Sequence, residues 1–424
     1  MAKTIVILGT LDTKGEHLLL LKRRIEARGH TALIMDLSMG AVPTWPADIP
    51  AEEIAALAGQ SLENLIAGGT RSANSEVMIG GAQKKVAELL AANRIDGIVA
   101  MGGASMALMA SRIMSHLPFA IPKVIATPAA MPTYISEWFG AIDVVVMQVI
   151  MEFAGMHNLL EAVITQVAGA VSGMVEEGVD YWSLTLPHPS VAITQIGFNE
   201  ECASEVKRLL EERRYHVYPF HANGISDRSM ERLIKQGFLD GLIDIVPAGL
   251  IEEIFQGNRA AGMERLDAPI ERGMPLVLAP STFNVTGAGP TRRMKERFFN
   301  RQPRLQIDEI RFMTRYTPEE MREGARAYAA KLNRAKAPIK LLIPLRGWSA
   351  IDKPGSVLYD PDKDRVFVEE LKAFLKPGIP LRIEEVDCNL EDPQFAAALV
   401  ESFEELFRAK AGEDHGTESR GGSA

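Results

Sequence analysis

Short runs of Val, Ile and Leu alternate along the chain with longer stretches in which apolar residues recur at helical spacing. The alternation starts at once: Thr4–Leu8 reads as a buried strand that breaks at Gly9 into the polar turn GTLDTKG, and Glu16–Arg28 follows as a helix with a basic face. Strand-like runs at Thr31–Asp36, Gly97–Met101, Lys123–Thr127 and Ile142–Met147 continue the pattern, with helices expected over Met106–Ser115 and Glu152–Gly173. This order predicts an α/β domain built on a parallel, doubly wound sheet. The composition shifts over Glu176–Pro189, after which Ser190–Ile196 starts a new strand and Glu200–Arg214 a new helix. Further strands at Tyr215–Phe220, Leu242–Val246, Leu276–Ala279, Lys340–Pro344 and Leu381–Val386 repeat the plan. The expectation is two Rossmann-like domains, over 1–180 and 190–410, with a ligand cleft between them. Residues 411–424 are polar and Gly/Ser-rich without periodicity, and are expected to form a disordered tail.

Composition narrows the function. The 424 residues are 47% hydrophobic and 24% charged, ordinary for a globular protein of two or three domains. Net charge is −9 and no run of Lys or Arg is longer than the three residues Lys22–Arg24, which argues against nucleic acid as the main partner and for small molecules. Two cysteines, Cys202 and Cys388, form no ladder or CxxC pair, as expected of inert fillers in a reducing cytoplasm. No cleavable signal pattern is present, and the most apolar stretch, Ala141–Met156, is interrupted by Asp143 and Glu152, so no membrane span is expected. Its methionines and Phe153 suit a helix surface buried in a homodimer.

Candidate chemistry collects in the loops that follow the first-domain strands. In the opening turn, Gly9, Thr10, Thr13 and Lys14 can hold phosphate oxygens, with Asp12 on a metal ion; the loop matches neither GxGxxG nor GxxxxGK[ST], and a structural turn is the alternative. Asp36 ends the second strand where Rossmann-like domains place the acid that receives ribose hydroxyls, or it is a solvated carboxylate or N-cap. Gly102 and Gly103 allow close backbone approach, with Ser105 placed to cap the next helix, although such turns also occur with no ligand. Gly68–Gly69 precedes Thr70, Arg71, Ser72 and Asn74, a second anion-holding turn unless Arg71 is merely solvated. Thr127, where the fourth strand ends, completes the set. In the second half, His221–Gly224, Pro280–Asn284 and Leu345–Asp352 are the loops of interest. Trp348 there offers a flat apolar surface with Arg346, Ser349 and Asp352 as polar hooks, or is a half-buried anchor beside a local Ser–Asp turn. HExxH, GxSxG and zinc spacings do not occur.

GTLDTKGEH near the start, Ala67–Arg71, Gly102–Gly103, AGAVSGM at Ala168–Met174, IPLRGWSAIDKPGSVLYDPDKD at Ile343–Asp364 and DPQFAAALVESFEEL at Asp392–Leu406 together carry a resemblance. The chain resembles the ATP-binding domain of the tomato mosaic virus resistance protein and its bacterial relatives, up to about residue 410. The resemblance implies paired Rossmann-like subdomains, ATP with magnesium in the first, and a homodimer; a TIM-barrel-like module accompanies the domain in some relatives and is a possible partner protein. The sequence departs from that pattern at GGASMALM (Gly102–Met109), which leaves fewer amides and hydroxyls for phosphate. It departs again at Ser281–Thr286, Leu305–Arg311 and Cys388–Pro393, where histidines of the family pattern are missing. The readings that follow are an ATP-binding component of a small-molecule enzyme, a non-catalytic metabolite sensor, or a nucleotide-sugar transferase.

Overall fold

The computed structural model describes residues 2–42, 45–131, 138–179, 184–288, 297–309 and 311–418. The chain divides into two compact units, 1–184 and 185–424. In the first, β1 (Thr4–Gly9) leads into α1 (Leu11–Glu26), β2 (Thr31–Asp36), α2 (Ala51–Leu57), α3 (Leu62–Gly68), α4 (Arg71–Ala91), β3 (Gly97–Met101), α5 (Ala104–Met114), β4 (Lys123–Thr127), β5 (Val145–Gln148) and α6 (Asn158–Glu177). The strands form one sheet in the order β2-β1-β3-β4-β5, with every neighbouring pair parallel.

Strand side chains alternate between faces, so β1 serves two cores. Ile5 and Ile7 pack with Leu18, Leu21 and Ile25 of α1 and with Ile164, Val167 and Val171 of α6. Val6 and Leu8 pack with α2 to α5, among them Ile54, Met78, Val86 and Ile113. The helix after β1 therefore lies on one face and the helix after β3 on the other. Where their loops part, at the carboxyl ends of β1 and β3, an open α/β sheet has its natural ligand crevice. Helix α6 has the length and hydropathy of a membrane span, but it buries Leu160, Ile164, Val167 and Val171 in this core.

The second unit runs β6 (Ser190–Gln195), α7 (Glu200–Glu212), β7 (His216–His221), α8 (Ile225–Lys235), β8 (Gly241–Asp244), α9 (Gly249–Phe255), α10 (Asp267–Glu271), β9 (Leu276–Leu278), β10 (Val285–Ala288), β11 (Arg304–Gln306), β12 (Phe312–Arg315), α11 (Pro318–Leu332), β13 (Ile339–Pro344), α12 (Pro361–Phe374), β14 (Leu381–Val386) and α13 (Pro393–Glu418). Its six-stranded sheet is ordered β14-β13-β9-β8-β6-β7, again parallel. The pattern of apolar runs anticipates all eleven parallel strands, most of them to within one or two residues at each end. It misses the antiparallel sheet β10-β12-β11, whose strands are three or four residues long. VTGA, RLQ and FMTR lack the continuous apolar run that marks the equally short β9 (LVL).

Arg265 is fully buried and reaches three carboxylates: Asp244 at 2.6 Å, Asp227 at 3.1 Å and Glu231 at 3.1 Å. Burial nonetheless holds Asp244 and Glu231 above the usual carboxylate range. The cluster ties α8, β8 and the segment before α10 together. Cys202 and Cys388 are both buried thiols, as their spacing implied.

One expectation changes at the carboxyl terminus. Helix α13 continues through Glu418, whereas the sequence reading starts a disordered tail at Ala411; residues 419–424 lie outside those described. Propagating a formed helix adds one hydrogen bond per residue fixed, so polar residues extend it without tertiary contacts. Ala411 and Gly412 are exposed, while Lys410 still donates to the Gly273 carbonyl (3.2 Å). A chain ending at Lys410 is therefore expected to keep its melting temperature, and a loss of several degrees in calorimetry would show that the last turns dock.

Candidate functional site

The opening turn is shorter than its sequence suggests. Helix α1 begins at Leu11, leaving only Thr10 between strand and helix, and is kinked at Lys14 (φ −130°, ψ 20°). The helix starts early because its first amides have partners. Leu11 N donates to Asp36 Oδ1 (2.9 Å) and Asp12 N to Ser38 Oγ (3.0 Å), while Ser38 N and Oγ donate to the same Asp36 oxygen (3.0 and 2.6 Å). Asp36 is fully buried, and burial raises its carboxyl pKa despite these bonds. It is thus a cap for α1 rather than an exposed ribose acceptor.

Lys14 also turns inward. Its Nζ donates to the Phe153 carbonyl (2.5 Å), and His17 Nε2, one turn further on, donates to the Gly155 carbonyl (2.8 Å). Both hold the loop after β5, so the Lys14 ammonium is not an open phosphate ligand. His17 was not singled out from sequence, although its i,i+3 spacing from Lys14 was legible. Gly15 is required by packing, since a Cβ there would lie 2.0 Å from the Trp45 ring. Thr10 and Thr13 share a hydroxyl contact at 2.7 Å on the exposed side. Asp12 Oδ2 accepts from Gly40 N (3.3 Å), and Oδ1 is buried with no partner among the described residues.

The loop after β3 differs in kind. Gly103 is the N-cap of α5 and, among the described residues, no side chain caps the helix, so its first-turn amides are open to the crevice there. Ser105 is exposed one residue inside the helix and is not the cap. A Cβ on Gly102 would press to 2.7 Å from Met106 Cβ, whereas one on Gly103 would meet nothing within 4 Å. Thr127 is buried, its Oγ1 accepting from Ala129 N (3.2 Å), and shapes the turn after β4. The turn at Gly69 reaches the same edge, because Ser75 Oγ meets Met39 Sδ (3.6 Å) in the loop after β2. Thr70 caps α4 through Ala73 N (3.3 Å), Asn74 donates to the Leu65 carbonyl (2.7 Å), and Arg71 is exposed. A Cβ on Gly69 would collide with Asn74 Oδ1.

In the second unit, Trp348 is only 2% exposed and packs edge-on against Phe367 (5.6 Å between centroids), an anchor rather than an open platform. The polar residues around it are engaged otherwise than as hooks. Arg346 points outward to Asp387 (2.8 Å), Ser349 is buried, and Asp352 Oδ2 accepts from Trp348 N (3.1 Å) and Asn284 Nδ2 (2.5 Å). Asn284 also donates to Asp364 Oδ1 (2.9 Å), and Arg315 reaches both Asp352 (3.3 Å) and Asp364. Two buried carboxyls thus share one guanidinium. Burial first, and the Asp352 charge second, raise Asp364 to about 7. In the His221–Gly224 loop, Asn223 Oδ1 accepts from Ile225 N (3.1 Å) and Ser226 N (2.9 Å) at the start of α8.

This arrangement sets a pH dependence. Folded Asp364 keeps its proton up to about pH 7, whereas an unfolded aspartic acid loses it near about 4. Between these values the folded state binds more protons, so stability falls as pH rises through that window. Glu391, raised to about 7 chiefly by burial, acts in the same direction. Urea unfolding of the second unit should give a higher midpoint at pH 6 than at pH 8, and Asp364→Asn should remove much of the difference; a midpoint that rises with pH would contradict the assignment.

The molecule is thus a two-unit α/β protein with parallel sheets, whose first unit has the 2-1-3-4-5 strand order and an open helix start at the switch point. The chain belongs to the uncharacterised protein family UPF0261: the family's N-terminal domain matches residues 3–179 and its C-terminal domain residues 188–407. The gap between the matches contains the division at 184–185. A UPF0261 protein of Clostridium tetani is 32% identical over 94% of this chain and 98% of its own, and one of Rhizobium meliloti is 28% identical over 95% and 99%. The ToMV resistance protein Tm-1(GCR237) of Solanum lycopersicum is 30% identical over 73% of this chain, which corresponds to 41% of that protein.

Proposed function

We propose that the first unit binds a nucleotide, ATP in the first instance, at the carboxyl edge of its sheet. The observation that carries this reading is the uncapped start of α5 at the switch point, with Gly102 and Gly103 admitting a phosphate to the open amides. The exposed Thr10 and Thr13 hydroxyls at the start of α1 and the exposed Arg71 at the start of α4 supply further donors along the same edge. The resemblance to the ATP-binding domain of the tomato protein supports ATP over other phosphates. Asp12 fits magnesium, because its buried Oδ1 is a hard acceptor without a partner. The ion, when bound, neutralises phosphate charge. Asp36, Lys14 and Thr127 act as positioning residues that hold the three loops, in a cytoplasmic protein.

Gly103→Asp tests the reading. At φ −73° and with open space around the Cβ, aspartate fits and caps the amides itself. Stability should rise by only a few tenths of a kcal/mol, while ATP affinity in calorimetry should fall by more than about tenfold as the seat fills with negative charge. Unchanged affinity would remove phosphate from α5. Asp12→Asn should weaken Mg-ATP binding and spare metal-free ATP; equal losses in both would take the metal away from Asp12.

We further propose a homodimer, with a revised contact. The segment Met147–Met156 is not a helix surface: it is the end of β5 and the loop beyond, and Phe153 is buried. Instead β5 is the edge of the sheet, and Val145 (42% exposed) and Ile150 (87% exposed) present apolar surface beside its unpaired ladder groups. Light scattering should give twice the 46.4 kDa chain mass, and Ile150→Lys should shift it towards one chain. A single-chain mass at micromolar concentration would exclude the dimer.

A further inference from the structure

A cavity of about 400 Å³ in the second unit lies between α12 and strands β13 and β14. Pro344, Leu345, Trp348 and Val368 supply its apolar wall, and Asp364, Arg365, Glu369, Lys372 and Glu385 its polar groups. Its size is that of a small-ligand site. Two of the charges on its rim are already answered, Lys372 by Glu385 (2.9 Å) and Arg365 by Asp362 (3.5 Å). Glu369 is exposed and has no ion-pair partner among the described residues.

The inner wall adds to this imbalance. Asp364 is 5% exposed and its Oδ1 takes the bonds from Asn284 and Arg315, so the side chain is held in one place. Asp352, behind it, competes for the same Arg315 guanidinium. Three carboxyls, those of Asp352, Asp364 and Glu369, therefore stand against one buried cation, and two of the three line the cavity. A buried carboxyl pair that shares a single guanidinium must hold a proton on one carboxyl or lack one positive charge, and a ligand ammonium would take the place of that proton.

We propose that this cavity is a binding site for a primary amine on an apolar body, with the ammonium between Asp364 and Glu369 and the body against the exposed Leu345 and the cavity-facing edges of Pro344 and Val368. The site lies within the second unit, and its assignment does not rest on the nucleotide reading. The anionic residues of the wall select the ligand's charge, and the aliphatic surface led by Leu345 receives its apolar part.

Calorimetric titration of the full chain with tryptamine and with indole-3-propionate, the same ring carrying opposite charges, tests the proposal. Tryptamine should bind at one site, with the acid at least about tenfold weaker. Glu369→Gln, an exposed change on α12 that leaves the core intact, should lower tryptamine affinity severalfold and reduce the preference for the amine. Asp364→Asn, which retains an acceptor for Asn284, should lower it further, and Gly103→Asp should leave it unchanged. Equal binding of the two indoles, or tryptamine affinity unaltered in both the Glu369 and Asp364 variants, would overturn the proposal.

Discussion

The carboxylate of Asp36 is the contact on which the first unit's ligand edge depends. One oxygen accepts from the Leu11 amide and from the amide and hydroxyl of Ser38, and Ser38 in turn receives the Asp12 amide. A charge removed from water is tolerated only where such bonds answer it, and these hold the loop after β2 against the start of α1. The consequence is an asymmetry between two helices that share a switch point. The start of α1 is closed by the protein's own carboxylate, and the start of α5 is open. Lys14 and His17 extend the same logic, fixing the loop after β5 through two backbone carbonyls.

The second unit meets the same problem with a different outcome. Glu391 accepts from the Glu201 and Cys202 amides (3.2 and 3.4 Å) at the start of α7, so that helix too is closed by a carboxylate from a neighbouring loop. Arg265 satisfies three buried acids and joins elements across the core. Arg315 has only two, yet the geometry leaves Asp364 protonated to near neutrality, because burial costs more than one shared guanidinium returns. Thr282, two residues before Asn284, has φ 55°, an unusual backbone for a β-branched residue, with its hydroxyl buried and without a partner among the described residues.

The layout of strands and helices was legible because buried parallel strands are continuous apolar runs and their covering helices are amphipathic. Loop positions followed from the strands, so Gly102, Gly103, Thr10 and Asp12 were found where they lie. What each side chain does there was not legible. Asp36, Lys14 and Thr127 have the residue types of phosphate or ribose ligands, but a carboxylate or ammonium serves equally to satisfy a loop, and the choice depends on partners distant in sequence. Phe153 lies 139 positions from Lys14. Asp364 escaped notice for the same reason, since Asn284 and Arg315 lie 80 and 49 positions away. The start of α5 was misjudged by two residues, enough to move Ser105 from cap to exposed helix position.

Hydrogen exchange on the full chain with and without Mg-ATP addresses the asymmetry of the two helix starts directly. If phosphate sits on α5, ATP should slow exchange of the Ala104, Ser105 and Met106 amides, and should leave the Leu11 and Asp12 amides, already bonded to Asp36 and Ser38, unchanged. Protection confined to residues 10–14, with 103–107 unaltered, would contradict the account and return the phosphate to the opening turn.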